Sequence, residues 1–278
     1  MAERYGVSEE RLAHVTCYRA RGPIAVDGDL DKPAWRSLPR SPRFVDMVSG
    51  APALYETRVA LQWDDERLYV AYWIEEPQVT ATLTERDSFV WNDNDVELFV
   101  AGEDCYYELE INALGTVYEA FFVWQDALVR GGRFDVPALD LRSPHVDLLG
   151  GFQDASRFGK HPRGRRFAFL DFDLAGLQTA VRVDGRINDP STIDRGWTAE
   201  LALPWESLGF LFAGRSLPPS DGETLRCDFS RFEALRVHGK ALPENPGWSL
   251  NPHGVYDSHI PESFSVVHFT ERSAGGQP

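Results

Sequence analysis

Short runs in which apolar and polar residues alternate, broken by Gly, Pro, Asp and Asn, fill most of this 278-residue chain. That period-two pattern suits strands with one packed face and excludes a helical architecture. Val59 to Trp63 and Leu68 to Ile74 flank Asp64-Asp65-Glu66, and Asp95 to Val100 and Tyr106 to Asn112 flank Gly102-Glu103-Asp104, which predicts two hairpins. Thr116 to Val123 continues the second. Gln178 to Val183, Trp197 to Leu203, Leu225 to Leu235 and Ser265 to Thr270 supply further strands. One helical turn is expected at Pro204-Trp205-Glu206-Ser207-Leu208, with Gly209 ending it. The fold class predicted is all-β: an antiparallel β-sandwich, jelly-roll-like, with long loops and little helix.

One domain is expected over residues 15–271, between a poorly ordered segment 1–14 and a flexible tail 272–278. Stretches rich in turn formers enlarge it between Phe134 and Gly164 and between Val237 and Pro261. Hydrophobic content of 43% and aromatic content of 12% suffice for a core. The 28 basic residues against 43 acidic, a net −15, disfavour nucleic acid, which needs a basic footprint, and anionic membranes. Cys17, Cys105 and Cys227 have no metal-like spacing; one disulfide and three reduced thiols are both open. The N-terminus lacks an apolar signal core, so the chain reads as soluble and cytoplasmic, although an exported chain trimmed of its leader would read alike. The sequence fixes no oligomeric state.

Alternation sorts the second hairpin into two faces. Val96, Leu98 and Val100 share one face with Tyr107, Leu109 and Ile111; Asp95, Glu97 and Phe99 share the other with Tyr106, Glu108, Glu110 and Asn112. Like charges across a strand pair destabilise by roughly 0.2–1 kcal/mol. A bound cation, sugar hydroxyls or an arginine such as Arg231, near Glu233, would offset that. The plain alternative is a solvated face of a sheet with one side wet. Trp91, just upstream, could cover an apolar sugar face while the carboxylates take hydroxyls.

Other constellations carry less. Trp91-Asn-Asp-Asn-Asp95 lacks the glycine and bidentate glutamate of an EF-hand loop. Asp27-Gly-Asp-Leu-Asp31 and Asp64-Asp-Glu66 could suit a hard cation, but read first as plain turns. No zinc spacing, nucleophile elbow or phosphate cradle is present in the sequence. Glu108 and Glu110 would hold their Cα atoms about 6.5–7 Å apart on one strand. That is compatible with glycosidase carboxyl separations of roughly 5–5.5 or 6.5–9.5 Å, so a glycosidase or lyase is the alternative function.

Ile24-Ala-Val-Asp-Gly-Asp-Leu-Asp-Lys-Pro-Ala-Trp35, Leu61 to Ala71, Trp91 to Phe99, Tyr106 to Gly115, Gly196 to Trp205, Asp228 to Glu233 and Trp248 to Glu262 together resemble family 9 carbohydrate-binding modules, in the free-standing family 9-like subgroup. The resemblance implies that Ile24 to Trp35 is an opening strand and turn, that Trp91 stacks on a sugar, and that Glu97 hydrogen-bonds it. It also implies a β-sandwich, a preference for sugar chain ends, and structural calcium. Where those modules carry a sugar-holding Arg, this chain has Glu110, and Trp248, Tyr256 and His259 occupy the loop that supplies their second Trp. The expectation is non-catalytic binding of a neutral saccharide, with no cofactor required. Trp91 would be the platform, and Glu97, Glu108, Glu110 and Asn112 the hydrogen-bonding groups. Arg231 and Glu233 would orient the acids, with Trp248, Tyr256 or His259 closing the other side.

Overall fold

The alternation places the strands where expected. The computed structural model describes residues 7–150, 161, 163–237, 240–243 and 245–274. Its strands are β1 (His14–Arg19), β2 (Val45–Asp46), β3 (Thr57–Trp63), β4 (Arg67–Glu75), β5 (Asp95–Ala101), β6 (Cys105–Asn112), β7 (Val117–Trp124) and β8 (Val146–Leu149). They continue as β9 (Arg166–Phe169), β10 (Gln178–Asp184), β11 (Gly196–Pro204), β12 (Thr224–Phe232), β13 (Arg236–Val237), β14 (Lys240–Ala241), β15 (Gly247–Ser249) and β16 (Ser265–Thr270). Among the described residues, fourteen strands form one continuous mixed sheet in the order β10-β11-β4-β3-β1-β16-β12-β5-β6-β7-β9-β8, with β15 beside β12 and β2 beside β15.

The sheet folds over on itself into an all-β sandwich. Tyr72 of β4 donates its hydroxyl to the Glu97 carbonyl of β5 at 2.7 Å, and its ring meets Phe229 of β12 at 6.3 Å. One apolar cluster runs between the layers, from Val59, Leu61, Val70 and Tyr72 to Val96, Leu98, Leu109 and Phe229. The pairing is antiparallel except for β1, which lies parallel to both β16 and β3.

Several sequence expectations change. Ile24 to Trp35 is no strand: it runs irregularly to a helical turn, Pro33–Arg36, and buries Trp35, Leu30 and Ile24 against Tyr69 and Ala71 on the outside of the sandwich. The opening strand is β1, because Val15 and Cys17 supply its buried alternation. The turn expected at Pro204 to Leu208 forms one step later, as a 3-10 helix at Ser207–Leu211, since Pro204 still ends β11. Phe134 to Gly164 is not all loop, for it contains β8. Residues 151–160 and 162 of that stretch, 238, 239 and 244 of the second one, 1–6 of the N-terminal segment and 275–278 of the tail lie outside the described residues. All three cysteines are buried and free.

Candidate functional site

Register decides which side chains meet. In the β5–β6 pair Asp95 stands opposite Asn112, Glu97 opposite Glu110 and Phe99 opposite Glu108. The next strand sets Tyr118 against Glu110 and Ala120 against Glu108, and β12 sets Ser230 against Glu97. The acidic face predicted from alternation therefore exists, but it is not a wet one: Asp95, Glu97, Glu108 and Glu110 are each no more than 3% exposed. They lie at or beneath the floor of a cleft of ≈650 Å³. One side is the turn Phe89 to Asn92, the other the segment Tyr256 to His259, with Leu149 and Leu170 from the β8–β9 region at one end.

The rim is aromatic. Phe89 and Trp91 are 53% and 39% exposed and stack on each other at 4.5 Å, and Trp91 meets Tyr118 edge-on at 5.1 Å. Across the cleft Tyr256 packs edge-on against Phe232 at 5.4 Å. Gly247 is required there, because a Cβ would come within 2.9 Å of the Phe232 ring and 3.1 Å of the Tyr256 ring.

Burial pushes all four acids up, since desolvation disfavours the charged form. Glu97 reaches about 7, held back by hydroxyls of Ser230 at 2.6 Å and Ser258 at 2.9 Å on its Oε2. Glu108 and Glu110 rise well above the usual carboxylate range, first through burial and then through neighbouring acids, and a side-chain hydrogen bond joins them. Asp95 rises through burial and then Glu97. Crowding four buried acids in this way is electrostatically costly, and the cost is eased by whatever donates a hydrogen bond or a positive charge to the floor. His259 is pushed down to about 3 by burial and then by Arg166, which leaves it neutral, 3.1 Å from the Tyr106 hydroxyl. Behind Glu97, His253 lies 3.1 Å from Asp228 and 2.7 Å from the Asp257 carbonyl.

Of the ten residues singled out from sequence, Trp91, Glu97, Glu108, Glu110, Tyr256 and His259 line the cleft. Four stand elsewhere. Asn112 is on the right face, but its amide donates to the Leu83 carbonyl and Asp93 while its oxygen accepts from the Leu114 and Thr116 N–H groups, so it closes a turn. Arg231 and Glu233 do not orient the acids. Because Ser230 faces the cleft, Arg231 points between the layers, bonded to Thr57 Oγ1 and the Glu75 carbonyl at 2.9 Å and to Glu233 at 2.5 Å. Trp248 does not close the cleft either; it is buried in the core, under the Arg231 guanidinium at 5.1 Å. Phe89, Tyr118, Ser230 and Ser258 were missed. Phe89, two residues before Trp91 and likewise aromatic, could have been noticed from its position, whereas Ser230 is assigned only once β12 is laid beside β5.

The calcium-like turns close on themselves. Asp27 Oδ1 accepts the Asp29 N–H at 2.9 Å and Lys32 Nζ at 2.8 Å, and Asp29 Oδ1 accepts the Asp31 N–H at 3.0 Å. Asp64 spends both oxygens on Glu66, Arg67 and Tyr69. Asp93 likewise ties Thr82 and Leu83 to its own loop.

Residues 45–129, which carry the Phe89–Trp91 side of the rim and the four acids of the floor, match the family model of Carbohydrate-binding family 9. The chain resembles family 9 modules. A candidate carbohydrate-binding protein from Bacteroides uniformis, 17% identical, superimposes with a TM-score of 0.58 over 93% of this chain and 99% of that one. A family 9 carbohydrate-binding module from Caldicellulosiruptor kristjanssonii, 14% identical, gives 0.50 over 95% of this chain, in complex with cellotriose (98% of that chain) and with glucose (100%). At such identities these superpositions establish a shared fold. No curated protein matches the chain.

Proposed function

We propose that the cleft of this family 9-like chain binds a neutral saccharide without breaking it. One observation carries the reading: an exposed, stacked aromatic pair stands beside a buried floor of carboxylates, and among the described residues no lysine or arginine lines the space between them. A sugar ring presents an apolar face to such a platform and hydroxyls to such a floor, whereas an anionic sugar would be repelled by it. The match over residues 45–129, and the cellotriose and glucose held by the Caldicellulosiruptor module, support the same class of ligand. Trp91 would stack, Glu97, Glu108 and Glu110 would bond hydroxyls, and Tyr256 and His259 would form the opposing wall.

The glycosidase alternative requires one acid kept protonated beside one kept ionised. Glu108 and Glu110 are both pushed up, by the same burial, so nothing sets them apart. Calorimetric titration against a panel including glucose and cello-oligosaccharides tests the binding reading. Saturable heat without turnover is expected, and a silent panel overturns it. Release of product that disappears in Glu108→Gln would replace it with the enzyme.

A further inference from the structure

We propose that Asp95, Glu97 and Glu110 hold one divalent cation of the calcium class at the bottom of the cleft, and that this ion presents open coordination positions to the hydroxyls of a bound sugar. The second half rests on the saccharide reading; the ion site does not.

Among the described residues these three are the group whose carboxylate oxygens all lie within 4.8 Å of one another, and all three are buried. Two oxygens bound to one calcium ion at about 2.3–2.6 Å stand no further apart than about 5 Å, so a single ion can bridge the trio. Proximity alone would not make a site. The independent sign is that Asp95 Oδ2 and Glu110 Oε2 are buried with no hydrogen-bond partner. Each carboxylate is nevertheless anchored from outside the trio. Asp95 Oδ1 accepts the Phe232 N–H at 3.1 Å, Glu97 Oε2 accepts two serine hydroxyls, and Glu110 accepts the Trp91 N–H. The acids are therefore fixed by one contact and left open by another, which is how a preorganised ligand set is built.

Among the described residues, none of the nearby cations bonds these three carboxylates. Arg231 projects to the opposite face, where Glu233 and Glu76 engage it. His253 faces Asp228, and Arg166 packs on the Trp124 ring at 4.9 Å. An all-oxygen set with three carboxylates selects a hard cation. Calcium accepts 6–8 oxygens in flexible geometry, so positions remain for water or adjacent sugar hydroxyls. Glu97 and Glu110 border the cleft while Asp95 lies beneath it, which directs those positions at the ligand space.

The test uses the full chain stripped with EDTA, titrated with CaCl2 by calorimetry and with TbCl3 by luminescence sensitised through Trp91 and Tyr118. One saturable site is expected, weakened at least tenfold in Asp95→Asn, which preserves the acceptor for Phe232. No saturable site in the wild type overturns the proposal, as does one that a folded Asp95→Asn leaves unchanged. Should that variant fail to fold, a crystal of the wild type soaked in MnCl2 decides. An anomalous peak between the three carboxylates supports the site, and a peak elsewhere or none overturns it. Equal sugar affinity in CaCl2 and in EDTA would remove the ion's role in sugar binding and leave the saccharide reading intact. Calcium bound at the trio with a silent sugar panel would do the reverse.

Discussion

Two acidic clusters lie on opposite faces of the sheet where β12 runs beside β5, and they are built oppositely. Between the layers, Glu76 and Glu233 surround Arg231, and every carboxylate oxygen has a partner. Glu76 takes Thr80, Asn94 and the Trp197 indole, and Glu233 takes Asn94 and Arg231. On the cleft side, Asp95, Glu97, Glu108 and Glu110 crowd together with no lysine or arginine bonded to them among the described residues, and two of their oxygens are buried without a partner. A cluster built around its own arginine, with every carboxylate oxygen bonded and only Arg231 Nε left over, helps to hold the sandwich together. A crowded one beside an aromatic cleft costs stability, which marks it as a candidate for binding.

The contrast breaks most visibly at Arg231. Arg231→Met leaves Glu233 and Glu76 buried and uncompensated and should cost about 3–5 kcal/mol in denaturant unfolding; a loss below 1 kcal/mol would mean the pair is not what stabilises this end. The same cluster predicts a pH trend. Burial raises Glu233 from the usual 4.5 to about 7 against the pull of Arg231, so the folded state holds that proton more tightly than the unfolded one. Its contribution to stability is thus full below about pH 4.5 and is lost as pH climbs through about 7. Melting temperatures across that window should fall, and Glu233→Gln should flatten the slope; an unchanged slope rejects the assignment. On the cleft side, Trp91→Ala should weaken sugar binding by about 1–3 kcal/mol in calorimetry with the fold kept, as for a central aromatic anchor. Smallest is Glu110→Gln, which relieves the repulsion across from Glu97 and should raise stability in EDTA at pH 8 by about 0.2–1 kcal/mol. Destabilisation there would show that the crowded acids help the fold after all.

Much of this was legible. Alternation in 95–100 and 106–112 fixed the two faces correctly, because period two leaves no freedom once one face is apolar. It could not fix which strand lies on the other side of β5. Arg231 reads as an ally of the acids until β12 is laid beside β5, whereupon Ser230 takes the place opposite Glu97 and Arg231 turns inward. Trp248 fails the same way, since Gly247 and Ser249 of its three-residue strand pair with cleft-facing positions. The burial of the acids was also hidden, since the segment at Tyr256 that covers them from the other side comes from a distant part of the chain. The parallel placement of β1 left no local signal at all.

That placement has a mechanical consequence. His14 to Tyr18 lie in register and parallel with Val266 to Thr270, so a pull applied to the two ends of the chain drags these neighbours in opposite directions along their length. The hydrogen bonds between them are then loaded together, in shear, and must fail as a group. Peeling them one at a time would require an antiparallel pair. A protein that grips a ligand while tethered at both ends would resist tension at this seam before it yielded anywhere near the cleft.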